Sequence, residues 1–314
     1  MAGRHERQGG RGGRRSWPTT LYVAAVLCFT VYLLLDTFVI QRTYSAIAVG
    51  SAAKTAETSS SSTATTNAEK ASTTDASSSG TSVSLSTSRY EDTTVYVVDI
   101  YTDDVTSLMA ALANDTYGRN VTETTSQMAE DNNATVAING DYYGARNSGY
   151  VIRDGILYRD TAASSDQEDL VIYSDGTFDI VTEGSVTAED LLANGAWQVF
   201  SFGPGLIDDG AITVTANSEV EQAMASNPRT AIGKVADGHY VLVVSDGRTS
   251  ESAGLTLYQL ATYMSDELGC ETAYNLDGGG SSTLYYDGSV VNNPTTNGDR
   301  ITERSVSDIV YLTA

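Results

Sequence analysis

The hydrophobic and polar positions divide this chain into parts of different character. An apolar run covers residues 21–40 and is interrupted by only three polar residues. About 20 apolar residues are enough for a helix that crosses a bilayer. Residues 51–88 consist almost wholly of Ser, Thr, Ala, Asn and a few charged residues, whereas residues 90–314 alternate short apolar runs with polar turns. Only this last part has the apolar content for a single folded core.

The N-terminal parts predict an anchor and a spacer. We expect a basic cytoplasmic tail at residues 1–18, a transmembrane anchor at 19–41 and a disordered Ser/Thr/Ala-rich linker at 42–89. A signal peptide cleaved near Ala46-Ile47-Ala48 is the alternative, although the apolar run is longer than a usual signal core. The expected location is therefore a bacterial cell membrane with the domain outside, or secretion after cleavage.

Residues 90–314 carry a repeated signal for β-hairpins. Asp-Gly pairs stand between runs of β-branched and aromatic residues, which is the strongest short-range pattern for a tight hairpin turn. The five pairs are Asp154-Gly155, Asp175-Gly176, Asp209-Gly210, Asp237-Gly238 and Asp287-Gly288. We therefore predict an α+β fold with antiparallel or mixed β-sheets, rich in hairpins.

A few helices should pack against these sheets. Thr256 and Gln259 have the spacing of a capping box ahead of an apolar face, and Gly269 ends that helix. The same reasoning predicts shorter helices over residues 105–113, 122–132 and 187–193.

Charge and cysteine content limit the partners of the domain. Residues 90–314 contain nine Lys and Arg against 35 Asp and Glu, a formal net charge of −26. This balance argues against nucleic acid and against anionic lipid surfaces as ligands. Cys28 lies in the apolar run and Cys270 in the domain, so no disulfide framework supports the fold. A bacterial surface protein is the simpler interpretation.

The glycine-rich stretch from Asn275 onward is the strongest candidate for chemistry. It places Asp277, three consecutive glycines and two hydroxyls between apolar segments. Glycines let the backbone approach a ligand closely, and consecutive N–H groups can bind an anion. A carboxylate beside an anion cradle suits glycosyl or phosphoryl chemistry. The candidate binding residues of this stretch are Asn275, Gly278, Gly279, Gly280, Ser281 and Ser282.

Three other segments place polar residues at the ends of predicted strands. Asn139 and Asp141 follow an apolar run, Arg229 begins another, and Asp246 with Arg248 ends a third. The planar fork of arginine suits bidentate binding of phosphate or carboxylate. Either arginine could instead pair with one of the many carboxylates of the domain.

The strings AINGDYYG, NPRTAIG, VVSDGR and NLDGGGSSTLYYDGSVVNNP occur in this order and are followed by RSVSDIVYL. Together they resemble the phosphodiester glycosidase family, from about residue 90 to the C-terminus. Members of that family carry a second Gly and a pair of Phe after Ile-Asn-Gly, where this chain has Asp141, Tyr142 and Tyr143. The resemblance implies hydrolysis of a sugar 1-phosphodiester between the anomeric carbon and the phosphate oxygen.

On this resemblance, the cleaved bond lies in a surface glycan or exopolysaccharide. Asp277 is then expected to act as nucleophile or base, with Asp141 and Asp246 as the competing carboxylates. The residues expected to bind the phosphate are Arg229, Arg248 and the amides of Gly278, Gly279 and Gly280. The residues expected to bind sugar hydroxyls or to orient the acids are Asn139, Asn275 and Ser281.

Two other classes of function stay open. Acidic loops could bind Ca²⁺ in a non-catalytic module that recognises cell-wall glycans, although the ligand spacing of a known calcium loop is absent. The same site could instead transfer a sugar to a hydroxyl acceptor during polysaccharide assembly. A phosphorylated glycan or cell-surface polysaccharide is the expected partner in every case, and Ca²⁺ is the one cofactor considered.

Overall fold

The computed structural model describes residues 17–47, 80–218 and 226–313. The chain divides into two units between Gln41 and Arg42. Residues 1–16 of the predicted tail and residues 48–79 of the predicted linker lie outside the described residues.

The first unit contains one helix, α1 (Trp17–Phe38), which occupies the apolar run for which the sequence predicts a membrane anchor. Across the described ranges, no helix combines the length and the apolar character that a membrane crossing needs. The predicted anchor therefore has no support from the structure.

The described residues of the second unit form mainly β-strands, with three short helices. The helices are α2 (Thr125–Asp131), α3 (Ala188–Ala193) and α4 (Leu257–Asp266). In chain order the strands are β1 (Arg42–Thr43), β2 (Ser82–Tyr90), β3 (Thr93–Tyr101), β4 (Met109–Leu112), β5 (Gly118–Arg119), β6 (Val136–Asn139), β7 (Val151–Arg153), β8 (Ile156–Arg159), β9 (Glu168–Tyr173), β10 (Phe178–Thr182), β11 (Ala196–Phe200), β12 (Gly205–Asp208), β13 (Ala211–Ile212), β14 (Arg229–Ala236), β15 (His239–Ser245), β16 (Thr272–Asn275), β17 (Leu284–Tyr286), β18 (Ser289–Val290) and β19 (Asp308–Leu312).

These strands form three larger sheets and one two-stranded ribbon. The first sheet has the order β13-β12-β16-β14-β15-β3-β2, the second β18-β17-β6-β19-β4 and the third β10-β9-β11-β7-β8, while β1 pairs with β5. Every named strand of the described residues runs antiparallel to its partners. The prediction of a hairpin-rich α+β fold is thus confirmed in its antiparallel form.

One hydrophobic core lies among the three sheets. It contains side chains from β15 and β3 of the first sheet, β6 and β19 of the second and β9 of the third, among them Leu242, Ile138 and Ile172. Alternate residues of β15, such as Val241 and Val243, face a second cluster under α4. The period of two along a strand explains why β15 is buried on both faces and reads as a continuous apolar run.

All five Asp-Gly pairs connect hairpins in the structure. They join β7 to β8, β9 to β10, β12 to β13, β14 to β15 and β17 to β18. The glycine of every pair has a positive φ, the backbone conformation that glycine adopts without steric cost. These five turns confirm the prediction from the sequence.

Three predicted helices are present and one is wrong. α4 begins at the predicted capping box, in which Thr256 and Gln259 exchange hydrogen bonds, and α2 and α3 lie within their predicted ranges. Residues 105–113 instead form one 3₁₀ turn, Val105–Ser107, followed by β4. Pairing of β4 with β19 outweighs the helical periodicity, because strand preference depends on neighbouring strands.

The predicted disorder of residues 42–89 is wrong at both ends of that range. β2 pairs with β3 along all nine of its residues, and Val83 and Leu85 pack against the main core. At the other end, β1 pairs with β5. Serines and threonines alternate with these two apolar residues, which is the pattern of a half-buried edge strand rather than of a chain that cannot fold.

Candidate active site

A cavity of about 900 Å³ lies at one edge of the seven-stranded sheet. β14 runs antiparallel to both β15 and β16, and its first residue, Arg229, pairs with Ser245 at the end of β15. The start of β14 and the ends of β15 and β16 therefore meet at the same edge. This topology brings together Arg229, Arg248 and Asp277, which are distant in sequence, and all three line the cavity.

The other lining residues come from loops on both sides of this edge. The full lining comprises Tyr142, Arg146, Ser148, Ala163, Ser164, Asp166, Gln167, Glu168, Phe202, Gly203, Pro204, Asn227, Arg229, Arg248, Asp277, Gly278, Gly279, Gly280 and Arg304.

Asp277 is a buried carboxylate held in a fixed orientation. Its Oδ2 accepts hydrogen bonds from Ser281 Oγ at 2.5 Å and from Arg304 Nη2 at 3.0 Å. Burial raises the pKa of Asp277 above its ordinary value, while the charge of Arg304 and the hydrogen bond from Ser281 oppose that rise. A carboxylate so placed can accept a proton or face a developing positive charge.

The glycine turn brings a cation next to this carboxylate. Gly279 has a φ of +62°, and a Cβ at this position would lie 2.9 Å from Nη2 of Arg248. The absence of a side chain thus permits the guanidinium to lie against the backbone. The N–H of Gly279 donates to the carbonyl of Pro228 at 2.8 Å, so this amide is engaged and the expectation of three amides pointing at one anion is not met.

Three arginines surround the turn, and each is positioned by a different contact. Arg248 donates from Nε and Nη2 to Oδ1 of Asn227, at 3.1 and 2.6 Å. Arg229 is almost fully buried and donates from Nε to the carbonyl of Leu255 at 2.9 Å. Arg304 contacts Asp277 as described above. Burial and the charge of Arg304 both lower the pKa of Arg248, so the guanidinium groups of Arg248 and Arg304 influence each other electrostatically.

Asp141 lies in a structural ion network outside the lining of the cavity. Its Oδ2 is 2.8 Å from Nη2 of Arg153, a fully buried arginine on β7 that is also 2.8 Å from Oδ2 of Asp308. The backbone amides of Tyr143 and Ser201 complete its hydrogen bonds. This network ties the second sheet to the third, and it gives Asp141 a role in cohesion that does not require substrate.

Asp246 is also outside the lining, in a network of neutral donors. Its Oδ1 accepts the N–H of Asn293 at 2.8 Å, and its Oδ2 accepts from Asn293 Nδ2 at 2.9 Å and from Tyr96 at 3.2 Å. These bonds hold the segment after β18 against the end of β15. Of the three aspartates proposed from the sequence, only Asp277 faces the cavity.

The two predicted asparagines support the site from behind. Asn139 is fully buried, and its Nδ2 donates to the carbonyl of Asp277 at 2.6 Å. Asn275 donates from Nδ2 to the carbonyl of Gly203 at 2.8 Å. Neither asparagine lines the cavity, so both position the lining rather than contact a ligand in it, and Ser282 is likewise fully buried outside it.

Sequence reasoning missed several residues of the lining. Arg304 lies in the C-terminal string RSVSDIVYL, where its motif was a usable signal. Arg146, Gln167 and Phe202 lie in loops and Glu168 begins β9; none of the four belongs to a motif, and the packing of the third sheet brings them to the cavity.

No group of three or more His, Cys, Asp or Glu that could hold a metal ion occurs among the residues that the structure describes. The expectation of Ca²⁺ as a ligand therefore gains no support from this geometry.

Comparison with known proteins agrees with the motif order. The sequence model for the phosphodiester glycosidase domain matches residues 132–313, a range that includes Asp277 and all four arginines of the cavity. This chain belongs to the phosphodiester glycosidase family. The resemblance predicted from the sequence is thereby confirmed.

Individual relatives place the family membership in context. The chain is 35% identical over 202 residues to the SPbeta prophage-derived uncharacterized protein YomE of Bacillus subtilis, covering 62% of this chain and 30% of that protein. It is 31% identical over 161 residues to N-acetylglucosamine-1-phosphodiester alpha-N-acetylglucosaminidase of Mus musculus, covering 47% of this chain and 30% of that protein. The chain thus spans about a third of the length of the curated relatives that it matches.

A solved structure supports the fold. The zebrafish N-acetylglucosamine-1-phosphodiester alpha-N-acetylglucosaminidase catalytic domain superposes with a TM-score of 0.59 at 21% identity, covering 74% of this chain and 83% of that chain. At this level of identity the likeness concerns the fold alone.

Proposed function

We propose that this phosphodiester glycosidase domain hydrolyses a sugar 1-phosphodiester in the cavity at Asp277. The observation that carries the proposal is the distribution of positive charge. Residues 90–314 contain nine Lys and Arg, and four of them, Arg146, Arg229, Arg248 and Arg304, line this one cavity. In a domain with a net charge of −26, such a concentration favours an anionic ligand in the cavity.

The chemistry of the bond fits these residues. Water attacks the anomeric carbon. The bond between that carbon and the phosphate oxygen breaks, and its electron pair stays on the oxygen of the departing phosphate. A phosphate is a weakly basic leaving group, so its protonation matters less than in an ordinary glycoside. Guanidinium groups can bind the charge of the departing phosphate, which lowers the energy of the transition state.

Asp277 has the place and the environment for the second requirement. Its carboxylate lies in the cavity beside the arginines and can stabilise positive charge that develops on the sugar ring, act as the nucleophile, or take a proton from the attacking water. Ser281 and Arg304 fix the orientation of the carboxylate, since both donate to the same oxygen.

The biological setting is part of the same proposal. We place the domain outside a bacterial cell, where it acts on a phosphorylated surface glycan or exopolysaccharide. The acidic composition, the lack of a disulfide framework and the Ser/Thr-rich segment after an apolar run support this location. Fractionation of cells that express the chain would test it, and recovery in the cytoplasm would contradict it.

The reaction is tested directly with the 314-residue chain and two substrates. One is a diester of N-acetylglucosamine 1-phosphate with mannose, and the other is the matching aryl α-glycoside. We expect release of free sugar from the diester and a rate at least about a hundredfold lower for Asp277→Asn, since a positioned acid or base contributes roughly 10²–10⁴. Asp287→Asn is the matched control, because Asp287 lies in an exposed hairpin turn with a φ of +46° that asparagine tolerates.

Retention of the full rate in Asp277→Asn, with the fold intact, would contradict the assignment of that residue. Absence of release from the diester, whatever the aryl glycoside shows, would contradict hydrolysis of this N-acetylglucosamine diester.

A further inference from the structure

Arg146 is the one of the four cavity arginines that does not lie at the glycine turn. It is half-buried in the loop after β6, and its guanidinium carbon lies 5.5 Å from the centre of the Phe202 ring. Its Nη1 donates a long hydrogen bond of 3.5 Å to the carbonyl of Ser201. Two protein contacts thus hold the guanidinium in the lining of the cavity, and neither of them supplies a negative charge.

The backbone of Arg146 is fixed as well. Its carbonyl accepts a hydrogen bond from Nη1 of Arg159 at 2.9 Å, and its N–H donates to the carbonyl of Tyr143 at 3.2 Å. The same Nη1 of Arg159 donates to Tyr143 at 3.0 Å. A second arginine is therefore used to hold the loop that presents the first, so the side chain starts from a fixed position.

No carboxylate neutralises Arg146 within the described part of the chain. None of the ion pairs there includes it, although the domain has almost four acidic residues for each basic one. Asp166 and Glu168 line the same cavity, but neither pairs with Arg146, and Oε2 of Glu168 instead accepts the N–H of Gly205 at 2.9 Å. Aromatic stacking leaves the charge of a guanidinium in place for a ligand.

Arg146 is also separate from the arginines at the glycine turn. Arg248 contacts Asn227, and Arg304 contacts Asp277, whereas the side chain of Arg146 contacts Phe202 and Ser201. The cavity thus has a positive position at Arg146 besides the one that Arg229, Arg248 and Arg304 form at the glycine turn.

We propose that Arg146, stacked on Phe202, forms a second anion subsite, and that the preferred substrate is a glycan carrying at least two phosphate groups. The inference rests on the proposed function, and it assigns the phosphate of the cleaved bond to the arginines at the glycine turn beside Asp277. A polymer of sugars joined by phosphodiesters presents the same group in every repeat, and we assign a neighbouring phosphate of such a polymer to Arg146. The cavity volume of about 900 Å³ lies at the upper end of the range of about 300–1,000 Å³ for small-molecule sites.

Two synthetic fragments with the same sugars test this subsite, one with a single phosphodiester and one with two. We expect the 314-residue chain to cleave the doubly charged fragment with a kcat/KM at least about tenfold higher. Arg146→Ala should lower that value about tenfold to a hundredfold, since a hydrogen bond to a charged group contributes about 1.5–3 kcal/mol. The loss on the singly charged fragment should be several times smaller.

Three further variants make the result specific. Arg146→Lys keeps the charge and should retain part of the preference, whereas Phe202→Leu removes the stacking partner and should lose part of it. Arg300→Ala is the matched control, because Arg300 is exposed and outside the cavity. Circular dichroism shows whether each variant is folded. If Arg146→Ala does not fold, Phe202→Leu takes its place as the test of the subsite.

Binding separates failure of the subsite from failure of the proposed reaction. Calorimetry with the Asp277→Asn chain gives the dissociation constants of both fragments without turnover. If neither fragment is hydrolysed by the unmodified chain, the proposed reaction fails, and the ratio of the two constants still decides the subsite. Equal dissociation constants for the two fragments would overturn the inference. An equal loss of affinity for both fragments, when Arg146→Ala is added to the Asp277→Asn chain, would overturn it as well.

Discussion

Replacement of Arg304 by glutamine should move the pH dependence of the reaction by a predictable amount. Nη2 of Arg304 lies 3.0 Å from Oδ2 of Asp277, and this ion pair opposes the rise in pKa that burial causes. Glutamine keeps a hydrogen-bonding side chain but removes the charge. The pKa of Asp277 should therefore rise further in Arg304→Gln.

The size of the shift follows from the ion pair and its exposure. Two unit charges about 4 Å apart interact by about 4 kcal/mol at an effective dielectric constant of about 20. The side chain of Arg304 is 42% exposed while that of Asp277 is 12% exposed, so solvent screening removes a large part of this energy. About 1.4 kcal/mol then remains, which corresponds to about one unit in the pKa of Asp277.

The assay is the pH profile of kcat/KM on the phosphodiester substrate, whose acid limb reports the pKa of an essential base in the free enzyme. Because the reaction requires ionised Asp277, the acid limb of Arg304→Gln should lie about one pH unit higher. Arg304→Lys should leave it close to its original place, and Arg300→Gln should not move it. An acid limb that stays in place, or moves to lower pH, would refute this account of Asp277.

Stability should respond to the same pKa in a defined direction. Since the folded pKa of Asp277 is above its unfolded value, its contribution to stability is present below the unfolded pKa and is lost as the pH rises through the folded pKa. Arg304→Gln should enlarge that loss. Urea unfolding at several pH values would show it as a stability difference that grows with pH, and a constant difference would contradict it.

Two further substitutions test the frame of the site. Arg153→Met leaves Asp141 and Asp308 buried without a cation and should cost about 3–5 kcal/mol in urea unfolding at pH 7. That cost should shrink toward pH 5, because burial already raises the pKa of Asp308 to about 7 and a protonated Asp308 needs no cation beside it. A cost below about 1 kcal/mol at pH 7 would refute a stabilising role for the ion network of Arg153, Asp141 and Asp308. Gly279→Ala places a Cβ 2.9 Å from Nη2 of Arg248, at a residue with a φ of +62°. The displaced guanidinium should raise KM about tenfold, and the strained backbone should lower the free energy of unfolding by about 1–2 kcal/mol. An unchanged KM would contradict the role of Arg248.

The local elements of the fold could be predicted because their causes are local. An Asp-Gly pair between two strand-forming runs favours a tight turn with a positive φ at its glycine, and the five pairs so placed form five hairpins. The capping box at Thr256 likewise depends on residues three apart in sequence. β4 and β2 could not be predicted in the same way, because their conformation depends on hydrogen bonds to β19 and β3 respectively.

The candidate site was predictable in part, for a related reason. Three consecutive glycines after Asp277 are an unusual local composition, so Asp277 and these glycines could be identified from the sequence. Asp141 and Asp246 have equally suggestive motifs, yet Arg153 and Asn293 occupy their carboxylates in the folded chain. A motif shows that a carboxylate ends a strand, and the packing around it decides whether that carboxylate faces a cavity or a partner.

The family, the hairpins, the acidic character of the domain and the motif that carries Asp277 are all visible in the amino-acid sequence. Which charged side chains come into contact depends on the tertiary structure. Arg229 and Arg248 flank the β14–β15 hairpin, whereas Arg146 and Arg304 come from distant parts of the chain and reach the same cavity only through the packing of the sheets and their loops. Long-range pairing of strands cannot be predicted from neighbouring residues, because a contact between distant segments depends on everything that folds between them.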